Sequence, residues 1–374
     1  MKKNIKWALV ILCALVILIP ISFYAFYSSR FHTIASLRQL TEYDDYNLYR
    51  MDVSYDYDLD AVIDRGISDN QSMLDAILSE ALPLLPIHMK APDFGCSAFT
   101  VSTEDGHVLM GRNYDFKLDT SALLVYCDPK DGYRSVAFAA LDNISANNPD
   151  ESIRSELACL AAPFICLDGM NEKGVSIAVL TLDSDPTYQD TGRPTLATPL
   201  VIRLVLDRAA STQEAVELLE KYDMFASSGR DYHFYITDAS GDGRVVEYDC
   251  DSKDRTMTVT PVRTVTNFFA MYSDKVEPDQ HNGVYGHGKE RYDKIEAVLT
   301  RDEGSATRDT AWKALQAASQ LPSPEDVTSN TQWSIVYDDT SLTAQFVLRR
   351  NWDTSTFYSL EDNATAPGSS VAAW

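Results

Sequence analysis

The stretch GCSAFTVSTEDGHVLMGRNYDF, residues 95–116, is where the chain changes character, and the fold is read outward from it. SAFTVS (97–102) and VLMGRN (108–113) are β-forming runs joined across an Asp105-Gly106 turn, the pattern of an antiparallel hairpin. Upstream, Phe31 to Phe94 is acidic and tyrosine-rich, as in TEYDDYNLYRMDVSYDYDLD (41–60), with one helical piece from about Gln71 to Leu82 that stops at Pro83. Cys96 therefore stands at a boundary and opens a strand rather than lying within one.

Downstream, strand signals continue in SALLVYC (121–127), SVAFAA (135–140) and GVSIAVLTL (174–182). Two helices follow, one with Thr198 as N-cap and Pro199 at the first helical position, the other opened by the capping box Ser211-x-x-Glu214. HFYIT (233–237), RVVEYD (244–249) and TMTVTPV (256–262) return to strand. Helices at about 288–300 and 308–320 then precede a closing hairpin, QWSIVYD (332–338) and LTAQFVL (342–348). Strands in two runs with helices in two runs predict an α+β layered sandwich.

At the other end, Lys2, Lys3 and Lys6 precede an uncharged stretch from Trp7 to Tyr27, WALVILCALVILIPISFYAFY, about the ~20 residues a helix needs to cross the hydrocarbon core. No small-x-small cleavage pattern follows it. Tyr24, Phe26 and Tyr27 suit an interfacial aromatic belt, which favours an uncleaved transmembrane anchor over a removable signal peptide; the alternative is a secreted protein. The lysines keep the N-terminus cytoplasmic and send the chain after Arg30 outside. The expected organisation is a membrane anchor or signal segment (1–30), an acidic leader or pro-segment (31–95), a catalytic domain (96–360) and a small, polar, flexible tail (361–374).

Composition narrows the chemistry. With 32 Lys and Arg against 55 Asp and Glu, the net charge of -23 opposes binding to phosphate backbones, so no nucleic-acid partner is expected. The six cysteines (13, 96, 127, 159, 166 and 250) include no C-x-x-C pair, and the six histidines no H-E-x-x-H, so neither a metal nor a cofactor is called for. Cys159 and Cys166, seven apart, could pair in an oxidising exterior or stay reduced.

Nucleophilic catalysis needs an activated Ser, Cys or Thr with a nearby base. Cys127, Cys159, Cys166 and Cys250 sit in apolar or strand contexts where burial is the ordinary state of this residue. A chain cut between Gly95 and Cys96 would expose a cysteine carrying its own α-amine, with a pKa of roughly 7.7–8.0, suited to a general base at neutral pH. Position alone leaves the alternative open, a buried and inert cysteine at the start of a domain.

The hairpin at 95–116 resembles the opening of the linear amide C-N hydrolases, the N-terminal nucleophile hydrolases that include bile salt hydrolase, penicillin V acylase and the acid ceramidase group. The resemblance covers about the last three quarters of the chain. The family's G-R-N-x-D strand is matched by Arg112, Asn113 and Asp115, and DGMNEKGVSIAVLTL (168–182) matches its D-G-x-N-E-K-G strand. HFYITDASGDGRVVEY (233–248), TVTNF (264–268), ERYDKI (290–295) and NTQWSIVYD (330–338) follow in family order. The resemblance implies a four-layer αββα sandwich, self-cleavage between Gly95 and Cys96, and Cys96 as nucleophile. It implies that Asp115 holds the Cys96 amine, that Arg112 and Arg291 keep the thiol thiolate-prone, and that Asn267 donates to the oxyanion. Thr181 stands where the family has a second oxyanion side chain, usually Asn or Tyr, so a backbone N–H near Cys96 or Ser97 is the alternative donor. The stretch between Asn267 and Arg291 is shorter than in bile salt hydrolases, where it serves tetramer assembly, so no such tetramer is expected.

The implied activity is hydrolysis of the C–N bond of a non-peptide linear amide: a bile acid conjugate, a penicillin V-like amide or an N-acyl amine. The implied partners are a small amide substrate, the chain's own leader after cleavage, and the membrane. Two alternatives stand beside it, an acyltransferase of the isopenicillin-N kind and a non-catalytic surface binding module. A Cys-His protease would need a histidine at the cysteine, and His107 falls on a turn while His233 fits the family hairpin.

Overall fold

The computed structural model describes residues 16, 18, 21–25, 27–83, 95–278, 280, 283–323 and 329–372. Among them, one sheet runs from edge to edge as β1 (Arg38–Gln39), β2 (Leu48–Val53), β5 (Ala122–Cys127), β6 (Ser135–Ala140), β7 (Asp168–Asn171), β8 (Val175–Leu182), β11 (Asp231–Asp238), β12 (Arg244–Tyr248) and β13 (Met257–Pro261). The second runs as β14 (Thr264–Val265), β3 (Gly95–Ser102), β4 (Val108–Asp115), β15 (Thr331–Asp338), β16 (Thr343–Leu348), β17 (Ser355–Ser359) and β18 (Ala364–Gly368). β9 (Thr195–Ala197) and β10 (Asp223–Phe225) make a small parallel pair.

The two large sheets face each other. Phe138 of β6 stacks on Phe346 of β16 with ring centroids 4.8 Å apart, and meets Tyr337 of β15 edge-on. Helices Thr198–Arg208 and Thr212–Leu219 cover the first sheet, while Lys289–Arg301 and Arg308–Ala318 cover the second. The result is helix, sheet, sheet, helix. Every residue of β4 is buried, as expected of a strand with both faces covered. Met110 and Tyr114 enter the core between the sheets, and Leu109 packs with Phe99, Ile295, Leu299, Trp312 and Leu315 under the helices. Burial of each such side chain contributes roughly 1.5–3 kcal/mol. Gly111 lets β3 and β4 approach, since a Cβ there would lie 2.3 Å from the Phe99 ring.

The strands and helices stand where the alternation places them, with local differences. Ala197, not Thr198, occupies the N-cap, and Pro199 is then at the second helical position. Ser211 does cap its helix, accepting from Glu214 N, while the Glu214 carboxylate accepts from Ala210 N. The tail, expected to be flexible, contributes β18, which pairs along its length with β17.

The acidic leader has a definite place in this architecture. Its described part is built into the fold rather than standing off it. β2 lies parallel to β5 inside the first sheet, with Leu48 and Met51 fully buried. Tyr55 OH donates to Leu160 O at 2.6 Å, Tyr57 OH sits 3.1 Å from both Asp207 carboxylate oxygens, and Arg50 reaches Asn363 O at 2.9 Å. A scission at Gly95 would therefore leave the leader bound without a covalent link. We expect the two fragments to co-elute on size exclusion and to part only in denaturant; a leader lost under native conditions would contradict this packing.

The uncharged stretch Trp7–Tyr27 lies for the most part outside the described residues. Among the described residues, no helix is long and apolar enough to cross a membrane.

Candidate active site

Register explains why distant residues meet at Cys96. β3 pairs with β4 so that Cys96 faces Tyr114, Ala98 faces Arg112, and Gly95 faces Asp115. On the other side β14 pairs Thr264 with Phe99 and Val265 with Ala98. Continued by two residues, that antiparallel register carries Asn267 to Cys96. Arg291 comes from the first turn of the helix Lys289–Arg301, which packs on β3 and β14. Gly288 leaves room for it: a Cβ there would lie 2.6 Å from Arg291 Nη2.

The structure thus brings together Cys96, Arg112, Asp115, Asn267 and Arg291, each with almost no solvent exposure. Arg112 Nη2 donates to Cys96 Sγ at 3.0 Å. Arg291 Nη1 donates to Cys96 O at 2.7 Å and to Asp115 Oδ2 at 3.3 Å, while its Nη2 donates to Asn267 Oδ1 at 2.6 Å. Cys96 N donates to Asn267 Oδ1 at 3.4 Å, and Asn267 Nδ2 donates to Thr181 O at 2.8 Å. Thr181 thus serves Asn267 through its main chain; its hydroxyl has no partner among the described residues.

Two expectations change in this uncut chain. The group facing Cys96 N is the Asn267 side-chain oxygen, whereas both Asp115 oxygens are engaged, Oδ2 by Arg291 and Oδ1 by Thr331 Oγ1 at 2.6 Å. Nor is the thiol thiolate-prone: burial pushes Cys96 up to about 12, and Arg112 opposes this only in part. Arg291 touches the Cys96 carbonyl, not its sulfur. Burial likewise raises the Asp115 carboxyl above the ordinary carboxylate range, against Arg291 and the Thr331 hydroxyl.

The other inner cysteines behave alike. Cys127, Cys159 and Cys166 are free and buried, so the Cys159–Cys166 pairing is not made. Burial pushes Cys127 up to about 11 and Cys159 up to about 12. An unfolded thiol ionises near 9.0, so above that pH the folded chain holds protons that the unfolded chain has released, and stability falls as pH rises. For Cys96, Cys127 and Cys159 the loss is about 1.4 kcal/mol per pH unit and per thiol until the folded thiol itself ionises. We expect the urea midpoint to drop between pH 8 and pH 10.5, with the buried tyrosines acting in the same sense; an unchanged midpoint would mean that these thiols are not buried.

Sequence reading missed the layer behind Arg112. Arg112 Nε donates to Asp168 Oδ2 at 2.6 Å, and Asp168 also accepts from Tyr337 OH at 2.5 Å and from Trp333 Nε1 at 3.4 Å. The signal was present in part: Trp333, Ile335 and Tyr337 alternate along β15, where Ile335 pairs with Arg112. No histidine bonds to Cys96 among the described residues; His107 pairs with Asp338, His233 with Glu247 and His287 with Asp183.

The fold is an α+β sandwich of two facing sheets between helices, with a cysteine at the head of a central strand. Residues 96–268 match the family model of the linear amide C-N hydrolases, choloylglycine hydrolase family, and the resemblance read from the sequence is thereby shown. Solved structures agree on the fold. Two variant forms of the conjugated bile acid hydrolase from Clostridium perfringens align over 73% of this chain at 15% identity. One has a TM-score of 0.54 with 96% of its own chain covered, the other 0.53 with 97%. Penicillin V acylase from Agrobacterium tumefaciens aligns over 74% of this chain and 92% of its own, at 20% identity and a TM-score of 0.51. No curated protein sequence matches the chain.

Proposed function

We propose that this chain is a cysteine amidohydrolase that matures by cutting itself between Gly95 and Cys96 and then hydrolyses small linear amides with an apolar acyl part. The observation that carries the proposal is the convergence of Arg112 and Asp115 from β4, Asn267 from the segment after β14 and Arg291 from the helix Lys289–Arg301 on the one cysteine that opens a strand.

In maturation the Cys96 sulfur adds to the Gly95 carbonyl carbon as its proton leaves. The C–N bond breaks, the nitrogen takes up a proton, and a thioester joins the Gly95 acyl group to the sulfur; water then releases a Gly95 carboxylate and a free Cys96. The wholly buried neutral thiol makes a proton acceptor necessary, and Asp115, whose charge acts on the thiol more strongly than that of Asp168 and whose carboxyl is raised by burial, is the candidate. Once free, the α-amine takes the thiol proton as the sulfur attacks the substrate amide, and returns it to the leaving amine. The second hydrogen of Asn267 Nδ2, beyond the one given to Thr181, is available to the oxyanion. Loss of one such donor elsewhere costs about 2.7–4 kcal/mol.

Cys96 is fully buried in the uncut chain, so substrate entry in this reading depends on release of the chain end before Cys96. The reading also keeps the catalytic part outside the cell on a membrane anchor. Supporting that placement, Ile21, Phe23 and Tyr24 expose their side chains, while Arg30 fixes the helix to the body through the carbonyls of Glu80 and Ala81. The test of activity is release of free amine from a conjugated bile acid, penicillin V or a fatty N-acyl amine by processed protein. Release that disappears on iodoacetamide treatment supports the proposal. No release from any of the three, with acyl amides still bound unchanged, transfers the argument to a binding module.

A further inference from the structure

The segment carrying Asn267 leaves β14 at Val265 and has no ladder of its own beyond it, yet its main chain is held at both ends by one buried pair. His233 of β11 and Glu247 of β12 are joined Nδ1 to Oε1 at 2.9 Å, both with side chains wholly removed from solvent. Ahead of Asn267, His233 Nε2 lies 2.8 Å from Thr266 O. Beyond it, Glu247 Oε1 accepts from Ala270 N at 2.8 Å and Oε2 from Met271 N at 2.9 Å. The Thr266 carbonyl can only accept, so Nε2 is the donor in that bond.

We propose that His233 and Glu247 are a positioning pair for Asn267: they fix the backbone at 266 and at 270–271 so that the amide between these points stays directed at Cys96. Neither residue reaches the reacting atoms. The proposal rests on Asn267 acting as the oxyanion donor, and it adds β11 and β12 to the strands that support the site, in the sheet opposite β3 and β14. A buried ion pair is weak evidence for stability, because apolar residues of similar volume often do as well or better. Here every hydrogen-bonding atom outside the pair is spent on the main chain flanking Asn267. Phe268 adds a tie to the other flank of the site, with its ring 5.5 Å from that of Tyr292, the neighbour of Arg291.

The test uses full-length, self-processed protein carrying His233→Gln or Glu247→Gln, with penicillin V as the probe and Asn side-chain amides labelled with nitrogen-15. Small misplacements of a reacting group cost about 10²-fold in rate. We expect kcat to fall about 10- to 100-fold with KM within about threefold of wild type, and the side-chain amide signal of Asn267, identified by its loss in Asn267→Ala, to shift or broaden. A folded variant with unchanged kcat and an unmoved Asn267 signal overturns the proposal, as does a change confined to KM. Should either single variant fail to fold, His233→Leu with Glu247→Met removes both polar partners together, and the same two readouts decide. Wild-type protein that releases amine from none of the three probe amides contradicts the amidase reading, while the Asn267 signal still decides whether the pair positions that side chain.

Discussion

A Cys96→Ala protein is expected to stay a single uncut chain and to release no amine from any probe. The substitution removes one sulfur from a site where three hydrogen-bonded neighbours, Arg112, Asn267 and Arg291, remain in place, so the fold should survive. Loss of buried volume costs about 2–5 kcal/mol for much larger truncations, and a cysteine-to-alanine change lies below that range. Both losses then have one cause. The sulfur is the nucleophile toward Gly95 in the precursor and toward substrate in the product, so a variant that still cuts itself at the wild-type rate excludes Cys96 from maturation. Intact mass separates the outcomes: one full-length species is expected for the variant and two fragments for wild type.

Arg291→Met is expected to cause the largest loss of stability of any single change at the site. Arg291 bonds at once to Cys96 O, to Asp115 Oδ2 and to Asn267 Oδ1, and all three acceptors are buried. Without the guanidinium, Asp115 keeps the Thr331 hydroxyl but loses its ion-pair partner, and removing one partner of a buried pair costs about 3–5 kcal/mol. Adding Asp115→Asn should recover much of that stability, because a neutral amide has no buried charge to leave unpaired, yet should not restore scission or amine release. Urea unfolding of the two single variants and the double variant gives the coupling directly. Additive losses would mean that the pair does not interact, and a loss below about 1 kcal/mol for Arg291→Met would place the side chain in water.

The sequence was most legible where physics is local. The hairpin of β3 and β4 follows from alternation and an Asp-Gly turn, and the same short stretch holds Cys96, Arg112 and Asp115 at fixed strand spacing. Asn267 and Arg291 lie far along the chain and were found through resemblance; their arrival at Cys96 depends on the β14 register and on one helix turn. Asp168 was quoted within a motif, but its partnership with Arg112 exists only because two sheets stack, which no spacing along the chain encodes.

The leader's place inside the first sheet was not legible in the sequence. LYRMDV alternates apolar residues with Arg50 and Asp52, a pattern that reads as half-solvated, yet the two charges pair with each other and Arg50 also holds Asn363, so the strand can lie within a sheet. β18, with sequence ATAPG, is small and contains Pro367, composition that suits an edge strand as well as a loose tail.

The central claim is that Cys96 becomes the N-terminal residue of the working protein. Intact mass with N-terminal sequencing of the purified, active, full-length product tests it most directly. The account predicts a fragment beginning Cys-Ser-Ala-Phe-Thr, accompanied by the leader fragment ending at Gly95. Active protein that remains uncut at Gly95 would contradict it, because the amine assigned as the base would still be locked in a peptide bond.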